Sequence, residues 1–460
     1  MFRPGHRYTN VAALMGGVPF LPLSVPTGFG WTDGPVVGRR GGGYATTFDI
    51  DAHRPVTSVT YYVDPIAGNN ANNGLSEAAP KEDLSNAITA ANTGGVAARF
   101  LLKPGIYRAS RGWNGAALDV THIIEPWAAD PTAASSRIII DKGQSANWTW
   151  TQHDGATYVR GTTSGSDPTH VLDFAISANG FPAVRYPKAA DLATCIATAG
   201  TWWRDGSNNI YVHALDGRSL VGDASVRFSE TGNNAVVRAS ASLTSWMQNI
   251  CFAFGGVTLQ YVFTTNAGQT INCYAKDCFA IGSGGNGVQV SSNLSGSSVY
   301  AYFTRFGAGF NQLDGFNYDG AGGGGARSRY FENECFTERN GYSGGNANNA
   351  TTSHDATQGI CIKGLYRGSE DRVVADISSA QRWMLGCDIR ASAGTGTNSE
   401  TVVAGSANGQ SASIWLDGCA LEESDDGCLN AFTGSAIRYA NMNIAGLSTE
   451  GGGTIAAYTP

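Results

Sequence analysis

The segment "ICIKG" at residues 360–364 has six counterparts in the second half of the chain. Each places a cysteine or a phenylalanine among small and medium apolar residues, and these reference positions follow one another at intervals of 25 to 32 residues. A strand-like unit that recurs about every 20–50 residues predicts a solenoid of stacked coils. The segments are "ICFAF" at 250–254, "DCFAI" at 277–281, "AYFTRF" at 301–306, "ECFTER" at 334–339, "ICIKG" at 360–364, "GCDIR" at 386–390 and "GCALEE" at 418–423.

The repeated cysteines predict what fills the solenoid. Equivalent positions of successive coils in a parallel β-helix lie above one another, and a thiol is small and among the most buried side chains. We therefore expect one interior column of unpaired thiols, unless the spacing is a coincidence among nine cysteines. The members of this column would be Cys251, Cys278, Cys335, Cys361, Cys387 and Cys419.

The composition also favours many short strands. Charged residues make up 15% of the 460-residue chain, and its 61 glycines are about twice the usual share, which disfavours helical bundles. The net charge is −7 and no basic stripe is present, so nucleic acid is not an expected partner. The nine cysteines lack Cys-x-x-Cys or Cys/His metal spacing. We expect reduced cysteines, no metal and no cofactor.

Residues 1–55 differ from the rest of the chain. They are rich in Gly and Pro and lack helical or strand periodicity, so they cannot bury a core by themselves. The apolar stretch Val11–Gly28 is interrupted by Gly and Pro and is not followed by a clean cleavage site. Neither a signal peptide nor membrane insertion is expected. We predict an extended arm that is ordered only against a partner or against the body.

The segment Val59–Asn92 predicts the start of the solenoid. It consists of a strand, a turn rich in Asn and Gly, and a short amphipathic helix. Leu84, Ala87, Ile88 and Ala91 fall at i, i+3, i+4 and i+7, which places them on one apolar stripe of that helix. The segments "RFLLKPGIYR" at 99–108 and "SRIIIDKG" at 136–143 continue the chain as short strands with turns.

Four motifs resemble those of the single-stranded right-handed parallel β-helix proteins of the pectate-lyase-like superfamily, and specifically its phage-borne members. "YYVDPIAGNNANNGLSEAAP" at 61–80 resembles the motif ahead of their N-terminal capping helix. "ISANGFPAVRYPK" at 176–188 and "GTWWRDGSNNIYVHALDG" at 200–217 resemble an insert of carbohydrate-active members. The region from residue 348 onward is similar to β-helix regions of phage structural proteins.

This resemblance covers about residues 60–440 and implies an all-β organisation. It implies an attachment arm at 1–55, a right-handed parallel β-helix body at 56–445 with a carbohydrate-active-type insert at about 145–225, and a tail at 446–460. The arm would attach the body to a particle and add nothing to the fold of the body.

The resemblance also implies a function. The chain would be a virion component, a spike or fibre, that presents its β-helix to a host surface polysaccharide. Residues 1–55 would contact other virion proteins, the chain would form a homo-oligomer such as a trimer, and it would be assembled in the host cytoplasm and released by lysis. The alternative is a polysaccharide depolymerase of the same fold, either a glycoside hydrolase or a lyase. A second alternative is a purely structural decoration protein.

The stretch "NGYSGGNANNATTSHD" at 340–355 lies between two reference cysteines that are one coil apart. It has no long aliphatic side chain, so it must turn at the perimeter of the solenoid, as plain turn structure, a glycan-binding loop or a catalytic loop. Glycoside hydrolysis needs two carboxyl groups, about 5–5.5 Å apart for retention or about 6.5–9.5 Å apart for inversion. The candidate catalytic residues around this stretch are Asp314, Asp319, Glu334 and Glu338.

Side chains that suit sugar hydroxyls and ring faces complete the predicted site. Aromatic rings offer rigid apolar faces to sugars, although Trp202 and Trp203 would equally suit the edge of the core. The candidate substrate-binding residues are Asn346, Asn348, His354, Asp355, Tyr318, Tyr342, Trp202 and Trp203. A lyase would need a base, for which Lys363 and Arg367 on the next coil are candidates. The acidic run "LEESDDGC" at 421–428 has oxygen ligands for Ca²⁺ but not the spacing of an EF-hand loop.

Overall fold

A computed structural model describes residues 18–108, 113, 117–143, 149–161, 167–229, 235–263, 266–292, 294–320, 327–341, 348–390, 400–407, 409–422, 427–444, 449–450 and 452–460. Over these residues the chain forms a parallel β-helix, in which the successive coils build three long parallel sheets. Neighbouring coils pair in register, so Ser298 lies opposite Thr270 of the preceding coil and Arg327 of the next one. The predicted all-β solenoid is therefore confirmed. No helix in the described part of the chain is long and apolar enough to cross a membrane.

Each full coil visits the three sheets in the order 1, 2, 3. Sheet 1 contains Val59–Val63, Ala98–Leu102, His122–Pro126, Leu243–Gln248, Thr270–Lys276, Ser298–Thr304, Arg327–Asn333, Thr357–Ile362, Gln381–Leu385, Ser413–Asp417, Ala436–Ala440 and Thr454–Ala457. Sheet 2 contains Gly105–Tyr107, Ile138–Asp141, Ile250–Ala253, Phe279–Ile281, Gly307–Gly309, Phe336–Glu338, Leu365–Tyr366, Asp388–Ile389 and Ala420–Leu421. Sheet 3 contains Ala235–Ala239, Leu259–Phe263, Val288–Ser291, Phe316–Asp319, Thr351–His354, Val374–Ile377, Val402–Ala404, Leu429–Ala431 and Thr449–Glu450. A hairpin of Ser406–Ala407 and Gln410–Ser411 follows one sheet 3 strand.

A single residue with left-handed backbone geometry turns the chain from sheet 1 into sheet 2. In five successive coils this corner residue is Asn249, Asp277, Arg305, Glu334 and Lys363, with φ between 51° and 57°. Because the same turn recurs, the corner side chains of neighbouring coils meet: Arg305 pairs with Asp277 and Lys363 pairs with Glu334, each at 2.6 Å. Exposed pairs of this kind contribute at most about 1 kcal/mol each, so the corner is set mainly by the backbone.

The cysteines are buried and unpaired, but they do not form the predicted single column. Four of them directly follow the corner residue and lie in one interior column: Cys278, Cys335, Cys387 and Cys419. Cys361 belongs to sheet 1, and Cys251 lies on the outer side of sheet 2, under the insert described below. The single column is wrong because side chains alternate between the two faces of a strand, so a shift of one residue changes the face.

Burial makes these thiols unreactive in the native protein. It raises the pKa of Cys278, for example, to about 12, and the thiolate is the reactive form of cysteine. We expect a disulfide reagent such as Ellman's to modify almost none of the nine thiols in the native protein and all nine in denaturant. Rapid modification of several thiols without denaturant would contradict their interior placement.

The interior of the middle coils holds a buried ion pair. Arg382 of sheet 1 lies 2.7 Å from the carboxylate of Asp376 in sheet 3, and both side chains are fully buried. The same guanidinium donates to the hydroxyl of Ser353 at 2.7 Å and to that of Thr351 at 3.0 Å. Sheets 1 and 3 are therefore joined across the core by polar bonds as well as by apolar packing.

A buried glutamate lies beside this pair. Glu332 accepts hydrogen bonds from the phenol hydroxyl groups of Tyr366 and of Tyr318, the latter at 2.6 Å. The Tyr318 ring stacks on Tyr330 with 3.6 Å between the ring centroids. A Cβ at Gly359 would come within 1.9 Å of the Tyr330 ring, so only glycine leaves room for this stack on the next coil.

The N-terminal end of the β-helix is covered by helix α1, Leu84–Gly94. The predicted apolar stripe of this helix is confirmed, because its four members, Leu84, Ala87, Ile88 and Ala91, are completely buried. The loop before α1 covers the edge of the first strand: the Tyr62 N–H donates to Gly74 at 2.8 Å, and the Tyr62 carbonyl accepts from Lys81 at 2.9 Å. The exposed edge that would otherwise invite pairing with another chain is thereby satisfied.

Residues 18–56, which we call the strap, lie along the outer face of sheet 1. At one end Phe29 packs edge-on against Trp415, with 5.7 Å between centroids, and at the other end Arg54 lies over Trp246. The strap contains a small antiparallel sheet of Leu21–Pro22, Val37–Arg40 and Gly43–Thr46, followed by a 3-10 turn at Ile50–His53. The strap therefore runs back along the β-helix from late coils to early ones.

The strap buries its own apolar side chains against the body. Trp31 is only 1% exposed, and Phe29, Val37 and Ile50 are also buried. Phe48 and His53 continue a ladder of parallel rings that begins on sheet 1 with Tyr274 and Tyr302, with centroid spacings of 4.9 to 5.1 Å. The prediction that residues 1–55 add nothing to the fold is wrong for this part, because the outer face of sheet 1 is apolar and needs a cover.

An insert separates the second strand of sheet 2 from the first strand of sheet 3. It contains an antiparallel sheet of Thr151–Asp154, Thr157–Gly161, Thr201–Arg204 and Asn209–His213, another of Val171–Asp173, Val184–Tyr186 and Val226–Phe228, and helix α2 at Leu192–Ala197. Phe181 of the insert packs against three rings, those of Phe279 and Phe336 in sheet 2 and that of Phe310 at the end of sheet 2. A buried ion pair between Arg227 and Asp141 also joins the insert to the body. These contacts hold the insert against the outer side of sheet 2.

Candidate functional site

A groove lies between the insert and the edge of sheet 2. It encloses a cavity of about 220 Å³. Its lining residues are Ala178, Asn179, Ala183, Val184, Arg185 and Pro187 from the insert, and Phe310, Glu338 and Arg339 from the β-helix. A carboxylate, two guanidinium groups and an aromatic ring therefore meet at one concave surface, which is the combination expected of a polar ligand site.

The repeat of the coil explains how the β-helix side of the groove is built. Phe310 and Arg339 are the residues that turn the chain out of sheet 2 in two consecutive coils, with φ of 58° and 49°. Gly282 in the coil before and Gly368 in the coil after have the same left-handed geometry. Because these corner positions lie on successive coils, Phe310 and Arg339 are neighbours along the groove, and Glu338 ends the strand just before the corner.

Two arginines lie beside Glu338, one closely paired with it and the other only loosely. The Arg367 Nε lies 2.7 Å from one carboxylate oxygen, and the Arg339 Nε lies 3.7 Å from the other. The Glu338 side chain is 10% exposed, whereas that of Arg339 is 62% exposed. The backbone N–H of Arg367 donates to the Thr337 hydroxyl at 3.0 Å, which fixes the next coil against this one. The carboxylate is thus oriented by its neighbours and still reaches the groove.

The insert supplies the opposite wall. Asn179, with φ of 52°, lies in a tight turn that is closed by two hydrogen bonds between Ala178 and Phe181, of 2.8 and 3.2 Å. Arg185 lies opposite Leu172 on the neighbouring antiparallel strand of the insert. Leu172 packs on the outer face of sheet 2. Since cross-strand partners share a face, Arg185 also faces the β-helix.

A further acid lies on the next coil of the same edge. The N–H of Glu370 donates to the carbonyl of Asn340 at 3.0 Å, which places Glu370 next to the segment that follows Glu338 and Arg339. Its side chain is half-buried. Sequence reasoning missed Glu370, Arg185 and Arg339, and a count of corner positions from the cysteine repeat would have found Arg339.

The predicted catalytic acids do not come together. Glu334 lies at the corner between sheets 1 and 2, Glu338 lies at the far end of sheet 2, and Asp319 ends a strand of sheet 3. Asp314 is buried in the loop between sheets 2 and 3, where it accepts from the Asn317 side chain and from the N–H of Asn349, both at 2.7 Å. Burial raises the pKa of Asp314. Of these four, only Glu338 lines the groove.

The predicted substrate-binding residues are also dispersed. Tyr318 is completely buried inside the β-helix, so the prediction that it stacks on a sugar is wrong. Trp202 is buried in the core of the insert, and Trp203 packs on Tyr211 at a centroid distance of 5.5 Å. Asn346 and Tyr342 lie outside the described residues.

The remaining predicted residues lie in or next to a strand of sheet 3. The N–H of Asn348, before that strand, donates to the carboxylate of Asp371 at 3.1 Å. His354 ends the strand, between Asp319 and Ile377 of the neighbouring coils. Asp355 turns the chain back toward sheet 1, with φ of 55°. The expectation that the whole stretch 340–355 turns at the perimeter is wrong, because Thr351–His354 form a strand of sheet 3 with three buried side chains, whereas Asn348 and Asp355 lie at its two ends.

Two other cavities offer less chemistry. One of about 450 Å³ under the strap is lined by Asp33, Asp49 and His53 among others, but Asp33 pairs with Arg329, Asp49 caps the 3-10 turn, and His53 is stacked between rings. Another of about 420 Å³ is lined mainly by apolar residues. Within the described ranges no group of three His, Cys, Asp or Glu side chains is arranged to hold a metal ion.

Comparisons with known proteins give only distant likenesses. No family model matches the sequence, and no curated protein matches it. Among solved structures, the chain is similar to a glycoside hydrolase over 87% of this chain and 96% of that one, at 9% identity and a TM-score of 0.48. It is similar to the complex of XylC with xylose over 87% and 86%, at 8% identity and a TM-score of 0.36. It is also similar to a GH136 lacto-N-biosidase from Eubacterium ramulus over 87% and 68%, at 9% identity and a TM-score of 0.33. At such identities and TM-scores, none of these likenesses assigns an activity to the chain.

Proposed function

We propose that the chain is a polysaccharide-acting β-helix protein whose groove between insert and sheet 2 binds a glycan and cleaves a glycosidic bond. The observation that carries this proposal is the Glu338 carboxylate, which is fixed by Arg367 at 2.7 Å and still lines a concave cavity. Carboxylates of this kind activate water or transfer protons in glycoside hydrolysis. Glycan hydrolysis belongs to the alternative function expected from the sequence, the polysaccharide depolymerase. The groove favours this alternative over a purely structural role.

The two carboxyl groups that hydrolysis needs would be Glu338 and Glu370. Both lie on the same edge of the β-helix on consecutive coils, which the hydrogen bond from Glu370 to Asn340 holds together. Glu338 acts as the general base that activates water, and Glu370 protonates the leaving oxygen. The Phe310 side chain is largely buried, and it adds apolar surface to the wall of the groove.

Replacing Glu338 with glutamine is expected to lower the rate of glycan cleavage by about 100-fold or more, because a general base is lost while the shape of the side chain is kept. Glu370→Gln should have an effect of the same kind. Release of reducing ends from a panel of bacterial and plant polysaccharides measures the cleavage, and affinity electrophoresis on the same glycans measures the binding. Binding by the Glu338→Gln variant should stay close to that of the unmodified protein.

Glu334→Gln is the matched control for this experiment. Glu334 is also ion-paired across two coils, with Lys363 at 2.6 Å, but it lies at the corner between sheets 1 and 2 and not in the groove. Its substitution should leave cleavage unchanged. Undiminished cleavage by both Glu338→Gln and Glu370→Gln would place the reaction elsewhere. If the unmodified protein binds glycans but cleaves none, the function is recognition, as the sequence first suggests.

Attachment to a phage particle remains a separate proposal, and it is supported only by the sequence resemblance. In this proposal residues 1–55 would contact virion proteins, and the groove would face the host polysaccharide. Because the strap covers sheet 1, the contact would be made by residues before the strap or by its exposed side chains.

A further inference from the structure

The groove carries an excess of positive charge in a chain that is negative as a whole. Arg185, Arg339 and Arg367 lie around Glu338, and Glu370 lies on the next coil of the same edge. The local balance of these five side chains is therefore three positive charges against two negative charges. The full chain has a net charge of −7, so the excess is a property of this surface and not of the composition.

The three guanidinium groups are not equally engaged. Arg367 is committed to Glu338, since its Nε lies 2.7 Å from the carboxylate. The Arg339 Nε is 3.7 Å from the same carboxylate, which is too long for a hydrogen bond, and the side chain is 62% exposed. Arg339 is therefore only loosely ion-paired with Glu338, and most of its side chain is exposed at the groove.

From this arrangement we infer that the glycan in the groove is acidic, and that Arg339 binds its negatively charged substituent. A guanidinium pairs with a planar carboxylate or with a sulfate through two parallel hydrogen bonds, which a neutral hydroxyl cannot accept with the same strength. The ligand class is thus a saccharide that bears a hexuronate carboxylate or a sulfate ester. This inference rests on the proposed function of the groove and names the substrate class of the same site.

The backbone of the corner fixes the position from which the Arg339 side chain extends. The backbone of Arg339 is left-handed, and it is packed against the next coil, because a Cβ at Gly368 would lie 3.1 Å from the Arg339 nitrogen. The base of the side chain is thereby held in place at the rim of the groove. Arg339 is a binding residue in this inference and takes no part in proton transfer.

The test compares matched ligands on matched variants. Affinity electrophoresis and calorimetry would use one uronate-rich polysaccharide with its carboxyl-reduced form, and one sulfated polysaccharide with its desulfated form. We expect the unmodified protein to bind one of the acidic glycans, and to bind its neutral form at least about tenfold more weakly. A difference between the uronate-rich glycan and its carboxyl-reduced form identifies the substituent as a carboxylate. A difference between the sulfated glycan and its desulfated form identifies it as a sulfate.

Arg339→Gln is expected to weaken binding of that acidic glycan by about tenfold to hundredfold, and to leave binding of the neutral form unchanged. The control is Arg305→Gln, because Arg305 is also a corner arginine with left-handed geometry, at φ of 51°, but it lies at the corner between sheets 1 and 2. Equal binding of acidic and neutral forms, or an Arg339→Gln variant that binds like the unmodified protein, would overturn the inference. The proposed function would survive that result if cleavage still depended on Glu338. Absence of binding to every glycan would overturn both.

Discussion

A protein that begins at residue 57 should melt at a far lower temperature than the full chain, or aggregate. The strap covers a column of large side chains on the outer face of sheet 1, formed by Trp246, Tyr274, Tyr302, Phe331, Ile360, Trp383 and Trp415. Without the strap these side chains would form a continuous apolar surface, and such surfaces drive association. Thermal unfolding followed by circular dichroism, with light scattering on the same sample, measures both effects.

A single substitution tests the same contact without truncation. Trp31→Ala should cost about 3–5 kcal/mol of the free energy of unfolding, because the ring is 1% exposed and packs near Tyr302 and under Arg329. The control is Val36→Ala, since Val36 lies in the same segment but is largely exposed, and its effect should stay within about 0.5 kcal/mol. If the truncation and Trp31→Ala both leave the melting temperature unchanged, the strap is only an attachment segment.

Arg382→Met should cost about 3–5 kcal/mol of the free energy of unfolding at neutral pH, because it leaves the Asp376 carboxylate buried without its partner. The methionine is apolar and of similar length, so it fills part of the space of the arginine. Urea unfolding measures the loss. The double variant Arg382→Met with Asp376→Asn removes the stranded charge and should recover part of the stability.

The pH dependence separates a charge effect from a packing effect. Burial raises the pKa of Asp376 in the native protein while Arg382 lowers it, so removing Arg382 should raise this pKa further. A carboxyl group whose pKa is higher in the native state than in the unfolded state binds its proton more tightly in the native state. The resulting stability is fully present below the unfolded pKa of about 3.9, and it is lost as the pH rises through the native pKa. The deficit of Arg382→Met should therefore be smallest near pH 4 and grow toward neutral pH. A deficit that does not change with pH would assign the loss to packing alone.

The solenoid could be predicted from the sequence because each coil repeats the same local solution. The corner from sheet 1 to sheet 2 has one left-handed residue followed by an interior side chain, which is a cysteine in segments such as "DCFAI" and "ECFTER". The apolar stripe of helix α1 was equally visible, because it depends on residues within three turns of one helix.

The cysteine columns and the site could not be derived from spacing alone. Coils differ in length by several residues, and a shift of one residue moves a side chain from the interior to the outer face, as it does for Cys251. Glu334 and Glu338 are four residues apart, yet they lie at opposite ends of sheet 2, because Glu334 is the corner before its strand and Glu338 is the last residue of that strand.

The sequence by itself determined the class of the fold, the repeat length and the capping helix, because these follow from patterns within one coil. The tertiary structure decided where the strap and the insert lie, since both depend on side chains that the chain brings together over long separations, such as Phe29 with Trp415 and Phe181 with Phe310. It also decided the candidate site. The groove exists only where the insert faces the corner residues of two coils, so Arg185, Glu338 and Arg339 become neighbours through packing and not through any motif.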